Sequence, residues 1–231
     1  MNRLRTLLVL GRVSNLPTVW SNCLAAWLLA SALRPDAPAW PLLLLLVAGC
    51  SALYLGGMFL NDVCDVAFDA IHRPERPIPS GKISRRAVAV FGCALIALGI
   101  VFLAPVSGGW AWALAGVILL YDAIHKKSAA GLPVMAGCRA LIYPLVGVAG
   151  AGVGASSLPA MLWVASACMA LWVLVLSLLA RSRYSAPVPN LLAAIPLVDL
   201  LLVSPRPILQ CLPFLGFTAL ALLLRRNVPP T

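Results

Sequence analysis

Eight long, nearly uncharged apolar runs, near residues 13-33, 40-61, 87-105, 109-124, 132-154, 158-180, 187-204 and 207-224, are separated by short charged, Pro or Gly clusters. A helix needs roughly 20 apolar residues to cross a bilayer, and an isolated span must satisfy its backbone groups internally. The pattern predicts an all-α, polytopic transmembrane helical bundle of about eight helices, with Pro196 and Pro213 as either kinks or ends. With 62% apolar and 10% charged residues and a mean hydropathy of +0.98, a soluble fold is excluded. The length of 231 residues leaves no room for a second, soluble domain, so residues 1-231 read as a single integral membrane domain.

Lysine and arginine outnumber the acids 17 to 7, but they cluster between the runs instead of lining a helix face. Nucleic acid is thereby excluded as a partner, and membrane lipids are the surroundings. Alternate loops divide the cations 14 to 2, with only Arg34 and Arg206 on the minority side and Arg139 inside the fifth run. The positive-inside rule then makes both termini cytoplasmic. In a bacterium this implies the plasma (inner) membrane with the active face inward. The stretch Met1 to Arg12 is too short and too interrupted for a signal-peptide core and is expected to be retained. Seven cysteines scattered singly read as reduced packing residues.

Four of the seven acids, Asp62, Asp65, Asp69 and Glu75, fall within 14 residues. Asn61, Asp65 and Asp69 are spaced i, i+4, i+8, one stripe of a helix, and Asp62 joins Asp65 at i+3. Like charges on one stripe repel unless a cation or basic partners neutralise them. Hard oxygen ligands at this spacing suit Mg²⁺, which bridges carboxylates to phosphate oxygens. A loop stiffened by Pro74, Pro77 and Pro79 follows, carrying Arg73, Arg76 and Lys82. Arginine forks match phosphate oxygens, and a lysine adds a point charge. A lone Asp-Arg pair at a helix end would be a solvated cap; the ordered stripe with its braced basic loop points to a metal-diphosphate site at a membrane surface.

At these residues the chain resembles the UbiA superfamily of intramembrane prenyltransferases, whose first signature, Asn-Asp-x-x-Asp-x-x-x-Asp, is matched by Asn61 to Asp69. Arg-Pro-Ile-Pro-Ser-Gly at 76-81 is equally typical. The segment Arg12 to Asn22 resembles the family's first helix, in which an arginine and an asparagine, here Arg12 and Asn22, face the active cavity. The likeness covers about residues 10-145, and its wording is most similar to the small EboC-like branch. The resemblance implies a helical bundle with a lipid-open cavity, in which Asn61, Asp62, Asp65 and Asp69 hold Mg²⁺ and an isoprenyl diphosphate. Asp65 and Asp69 would then be catalytic, Arg73, Arg76 and Lys82 would bind the diphosphate, and the prenyl group would pass to a lipophilic acceptor, often an aromatic ring.

The family's tyrosine-lysine pair is met by Tyr121 and, one residue later than usual, Lys126, with His125 at the usual lysine offset. Tyr121 could stabilise a cation with its ring face and Lys126 could reach phosphate, or both could be interface anchors. Asp122 could bind metal or orient the acceptor. Arg139, a charge inside a span, is a substrate-binding candidate by position. His72 and His125 are read as making ordinary polar contacts.

The second Asp-rich motif of catalytic members is missing: residues 178-185 contain no acid, and the later Asp199 is expected to lie away from the cytoplasmic end. Either one metal with basic residues (Arg139, Arg181, Arg183) suffices for a prenyltransferase, or the chain is a non-catalytic isoprenoid-diphosphate binding or carrier protein. A transporter would need ionisable groups at the midplane of several helices, whereas these acids gather at one face.

Overall fold

The structure is a computed structural model and describes residues 3-33, 40-126, 128-204, 207-226 and 228. Arg34, Asp36, Lys127 and Arg206 lie outside the described residues. Among the described residues the regular elements are all helical. They are α1 (Arg3–Leu10), α2 (Leu16–Ala30), α3 (Trp40–Cys64), α4 (Val66–His72), α5 (Arg85–Ser107) and α6 (Gly109–Ile124), then α7 (Gly131–Ala140), α8 (Ile142–Ala151), α9 (Ala160–Ala180), α10 (Val188–Ala193), α11 (Ile195–Val203) and α12 (Ile208–Leu224), with three short 3₁₀ turns.

Helical apolar segments occupy all eight expected runs. Five are long and apolar enough to cross a membrane: Val13–Leu33, Trp40–Cys64, Arg85–Ser107, Gly131–Ala151 and Ala160–Ala180. The other three, Gly109–Ile124, Val188–Val203 and Ile208–Leu224, are shorter. The first span is the most enclosed and Arg85–Ser107 the least. Accordingly, α2 sits centrally against α3, α8, α11 and α12, while α5 packs chiefly on α3. One apolar core cluster runs through these helices, with Leu46, Leu53, Leu103, Leu145, Leu162 and Phe214 fully buried in it.

Glycine sets how closely α3 and α5 approach. A Cβ on Gly56 would stand 2.9 Å from the Gly92 carbonyl oxygen, and one on Gly99 would stand 3.0 Å from that of Gly49. This is the small-residue packing by which membrane helices gain contact area without a hydrophobic driving force between them.

Two expected helices are broken, each by proline. Between α7 and α8, Pro144 has no N–H for the Ala140 carbonyl; the Ser166 hydroxyl on α9 donates to that freed oxygen at 2.9 Å. Pro196 opens α11 just after α10 ends, whereas Pro213 lies inside α12. The break after Ala140 leaves Arg139 and Tyr143 flanking a bend that faces α2. At the other end of the bundle α3 stops at Cys64, yet Asp65 N–H still donates to Asn61 C=O at 2.9 Å and Asp69 N–H to Asp65 C=O at 2.8 Å. The expected stripe therefore survives the junction into α4.

Candidate active site

Asn61, Asp62, Asp65 and Asp69 are all buried where α3 passes into α4. Their repulsion is relieved by cations from three other segments. Arg12 Nη2 lies 3.2 Å from Asp62 Oδ1, and Arg76 Nη1 reaches Asp62 Oδ1 at 3.3 Å and Asp69 Oδ2 at 2.8 Å. His125 Nε2 stands 3.1 Å from Asp65 Oδ1, and Lys126 Nζ is 3.6 Å from Asp65 Oδ2. Asn61 ties the set together, accepting from Arg12 at 3.3 Å and donating to Asp122 Oδ1 at 3.3 Å. Burial opposes the charge on Asp65, but the His125 hydrogen bond and the His125 and Lys126 charges outweigh it and hold this carboxyl below its ordinary range. That stabilisation is present above the ordinary carboxylate pKa and is lost as pH falls through the lowered one.

Arg12 reaches the acids from an unusual backbone. Its φ of 44° is the only positive value at a non-glycine among the described residues, a conformation costing about 1–2 kcal/mol for an L-residue. The left-handed turn ends α1 and aims the guanidinium back at α3, where it also contacts Met58 Sδ at 3.3 Å.

Beside the cluster lies a cavity of about 300 Å³. Its polar lining includes Arg12, Tyr121, Asp122, Arg139, Arg181 and Tyr54, and its walls include Leu53, Leu114, Ile118, Leu132, Ile142 and Val173. Asp122 is the acid among its lining residues; Asp62 joins it through Arg12, Asp65 through His125 and the Asn61–Asp122 bond, and Asp69 through Arg76, which it shares with Asp62. Such a mixture of apolar walls and a few convergent polar groups is what a small-molecule site requires.

Several of the sequence-predicted residues stand apart. Arg73 is exposed after α4 and Lys82 donates to the Glu75 carbonyl at 3.2 Å; neither lines the cavity nor, among the described residues, pairs with an acid. The proline-braced loop turns Arg76 inward and these two outward. Asn22, expected to face the cavity, instead lies fully buried behind Arg139. Lys126 spans Asp65 and the face of Phe68, 4.1 Å from the ring centroid, and Tyr121 lines the cavity while stacking on His125 at 4.8 Å.

Three residues that the sequence reading kept apart from the site are His125, His72 and Asp199. His125, expected to make ordinary contacts, is a direct partner of Asp65 and Asn61; its place at the usual lysine offset was the available signal. His72 does make an ordinary contact, to the Phe68 carbonyl at 3.0 Å. Asp199, expected apart from the site, is fully buried on α11, accepting from the Ser21 and Tyr143 hydroxyls and from Asn22 Nδ2 at 2.9 Å. Asn22 Oδ1 accepts in turn from Arg139 Nη1 at 3.0 Å, so the carboxylate connects to the cavity through one amide.

The donor set at the acid cluster suits a hard divalent cation: carboxylates and an amide oxygen, with Asp69 Oδ1 and Asp122 Oδ2 buried and, among the described residues, without a hydrogen-bond partner. Among the described residues no three His, Cys, Asp or Glu side chains already converge as a cation cage; Arg12 and Arg76 engage oxygens of Asp62 and Asp69 instead. The residues fit such an ion in kind, with guanidinium contacts standing where it would otherwise neutralise charge.

A family model described as the UbiA prenyltransferase family matches residues 16–225. The digeranylgeranylglyceryl phosphate synthase of Sulfolobus acidocaldarius is 34% identical over 93 residues, covering 40% of this chain and 34% of that protein. That of Methanoregula boonei is 40% identical over 88 residues, covering 37% of this chain and 32% of its own. The matched part thus spans about a third of these relatives' length. Among solved structures, one described as concerning digeranylgeranylglyceryl phosphate synthase in membranes aligns over 99% of this chain and 90% of its own, with a TM-score of 0.64 at 23% identity. A UbiA homolog from Archaeoglobus fulgidus, bound to GPP and Mg²⁺, aligns over 94% and 85% with a TM-score of 0.56 at 15% identity. Both share the fold.

Proposed function

The chain belongs to the UbiA prenyltransferase family, and from that premise we propose that it transfers a prenyl group from an isoprenyl diphosphate to a lipophilic acceptor within the membrane. One observation carries the reading: a buried cluster of acids, held by arginines, is joined through Asn61 and Asp122 to an apolar cavity. The family is one of integral membrane proteins, and five helices here are long and apolar enough to span. The reading places the active end at the cytoplasmic face, following the loop charges.

In this proposal Asn61, Asp62, Asp65 and Asp69 would hold Mg²⁺, which would supply positive charge against the departing diphosphate. Arg12 and Arg76 add guanidinium donors to the same oxygens, and Lys126 and Arg181 add further positive charge at that end of the cavity. The Tyr121 ring, stacked on His125, offers its face to an allylic cation. Leu53, Leu114, Ile118 and Val173 keep water from the prenyl chain. Asp122, with one oxygen fixed by Asn61 and the other unpartnered, is placed to accept a proton from the acceptor.

The absence of acids from residues 178-185 favours a second reading, in which the chain binds the diphosphate without turning it over. Membranes containing the protein, incubated with labelled geranylgeranyl diphosphate and Mg²⁺, discriminate between the two. The expected result is released pyrophosphate and a labelled lipid, with Asp65→Ala lowering turnover by about 100-fold or more. Tight Mg²⁺-dependent binding with no product establishes the second reading.

A further inference from the structure

A left-handed turn at an L-residue persists only where its surroundings hold it. Arg12, at φ 44° and ψ 48°, is held through its carbonyl. That oxygen accepts the Asn15 N–H at 2.9 Å, which closes the turn from within, and the Tyr54 hydroxyl at 3.3 Å, which ties it to α3. Gly11 seats the same turn on α3, since a Cβ there would stand 2.8 Å from Leu55 Cδ2. Glycine at position 12 would adopt the turn freely, but it has no guanidinium to offer.

Tyr54 belongs to one stripe of α3. Tyr54, Met58, Asn61 and Asp62 follow at i, i+4, i+7 and i+8, which places them on one side of the helix. Each touches Arg12 further along its length. Tyr54 Oη meets the carbonyl, Met58 Sδ meets Nη1 at 3.3 Å, and Asn61 Oδ1 and Asp62 Oδ1 meet Nη2 at 3.3 and 3.2 Å. The backbone contact fixes where the side chain starts, and the other three fix where it ends. Without the first, the turn is free to relax toward the right-handed region and carry the root of the side chain away from α3. Resting on the prenyl-transfer reading, we propose that Tyr54 is a positioning residue for diphosphate binding: its hydroxyl latches the Arg12 turn and so sets the guanidinium where it meets both Asp62 and an incoming diphosphate. Tyr54 also lines the cavity, and Arg139 lies over its ring, 5.8 Å from the centroid, so the part played by the hydroxyl has to be separated from that of the ring.

Tyr54→Phe makes that separation, because it removes the hydroxyl and keeps the ring. The full chain in an uncharged maltoside detergent is read in two ways. The first is amide hydrogen exchange without ligand. Exchange over residues 11–16 is expected to rise about fivefold or more in Tyr54→Phe, while that of α5 changes less than about twofold. Unchanged exchange over residues 11–16 overturns the latch, and so does an equal rise in α5, which is the mark of general loosening. The second is titration calorimetry with geranylgeranyl diphosphate and Mg²⁺. Tyr54→Phe is expected to weaken this affinity about threefold to tenfold when Arg12 is present. In an Arg12→Gly background, where the guanidinium to be positioned is gone, the same change is expected to cost less than about twofold. If Arg12→Gly binds too weakly to measure, Arg12→Lys, which lacks the planar fork, serves as the background and is expected to show a smaller loss than the wild type. An equal loss in both backgrounds makes Tyr54 merely structural and overturns the proposal. Failure of the wild type to bind geranylgeranyl diphosphate sinks the prenyl-transfer reading and with it the role in diphosphate binding, whereas the latch itself is judged by exchange alone.

Discussion

Arg76 bridges two buried carboxylates, so its loss is not that of a surface ion pair. Arg76→Gln leaves Asp69 charged, buried and without its cation, and removing one partner of a buried pair costs about 3–5 kcal/mol. The melting temperature in detergent is expected to drop accordingly, and millimolar Mg²⁺ is expected to restore more than half of the loss by taking over the freed oxygens. An identical drop with and without Mg²⁺ would argue against these acids as ion ligands. Arg12 invites a finer comparison, because its side chain and backbone are separable. Glycine adopts the left-handed turn without strain, so Arg12→Gly should melt higher than Arg12→Ala, by about 1 kcal/mol in stability, while both lose the contact to Asp62 and the activity that depends on it. The acid stripe could be read in the sequence because its residue types and local spacing are unusual, and Arg12 because its segment resembles the family's first helix. His125 and Asp199 could not, since their partners lie 60 and 178 residues away and neither residue type is distinctive by itself.

At the level of elements, hydropathy located the helical segments to within a few residues, since each apolar run contrasts sharply with the charged loops beside it. It did not locate the break after Ala140, whereas the one after Ala193 falls beside Pro196, which the sequence offered as a kink or an end. At both breaks the decisive facts are the N–H groups lost at Pro144 and Pro196 and, for the first, a hydroxyl contributed by Ser166 on another helix. The α3–α5 contact was equally hidden, because glycines spaced along two apolar runs do not announce which run faces which. Its energetics are testable. Gly56→Ala places a methyl 2.9 Å from the Gly92 carbonyl oxygen and should destabilise by about 1–3 kcal/mol through overpacking. Gly116→Ala on α6, where a methyl meets nothing within 4 Å, should leave melting unchanged or raise it. Thermal unfolding of both variants in one detergent checks the contrast, and equal behaviour would mean the helices separate readily.

For the whole molecule, the candidate site is assembled from distant segments of the chain: Arg12 from the end of α1, the acids from the α3–α4 junction, Asp122 and His125 from the end of α6, and Arg139 from the α7–α8 bend. The shorter helices add a further consequence. Helix α6 has 16 residues and α12 has 17, lengths of about 24–26 Å at 1.5 Å per residue, against a hydrocarbon core of roughly 30 Å. Lipid beside them has to thin or the helices have to sink, and the acid cluster abuts the end of α6. Turnover in proteoliposomes should therefore be higher in short-chain than in long-chain phosphatidylcholine at equal fluidity, and rates independent of acyl length would count against it. On the proposed prenyl transfer, hydrophobic mismatch of this kind would make the surrounding bilayer part of the catalyst, its thickness governing how easily a polar head slips past the phosphate layer while a greasy tail remains below.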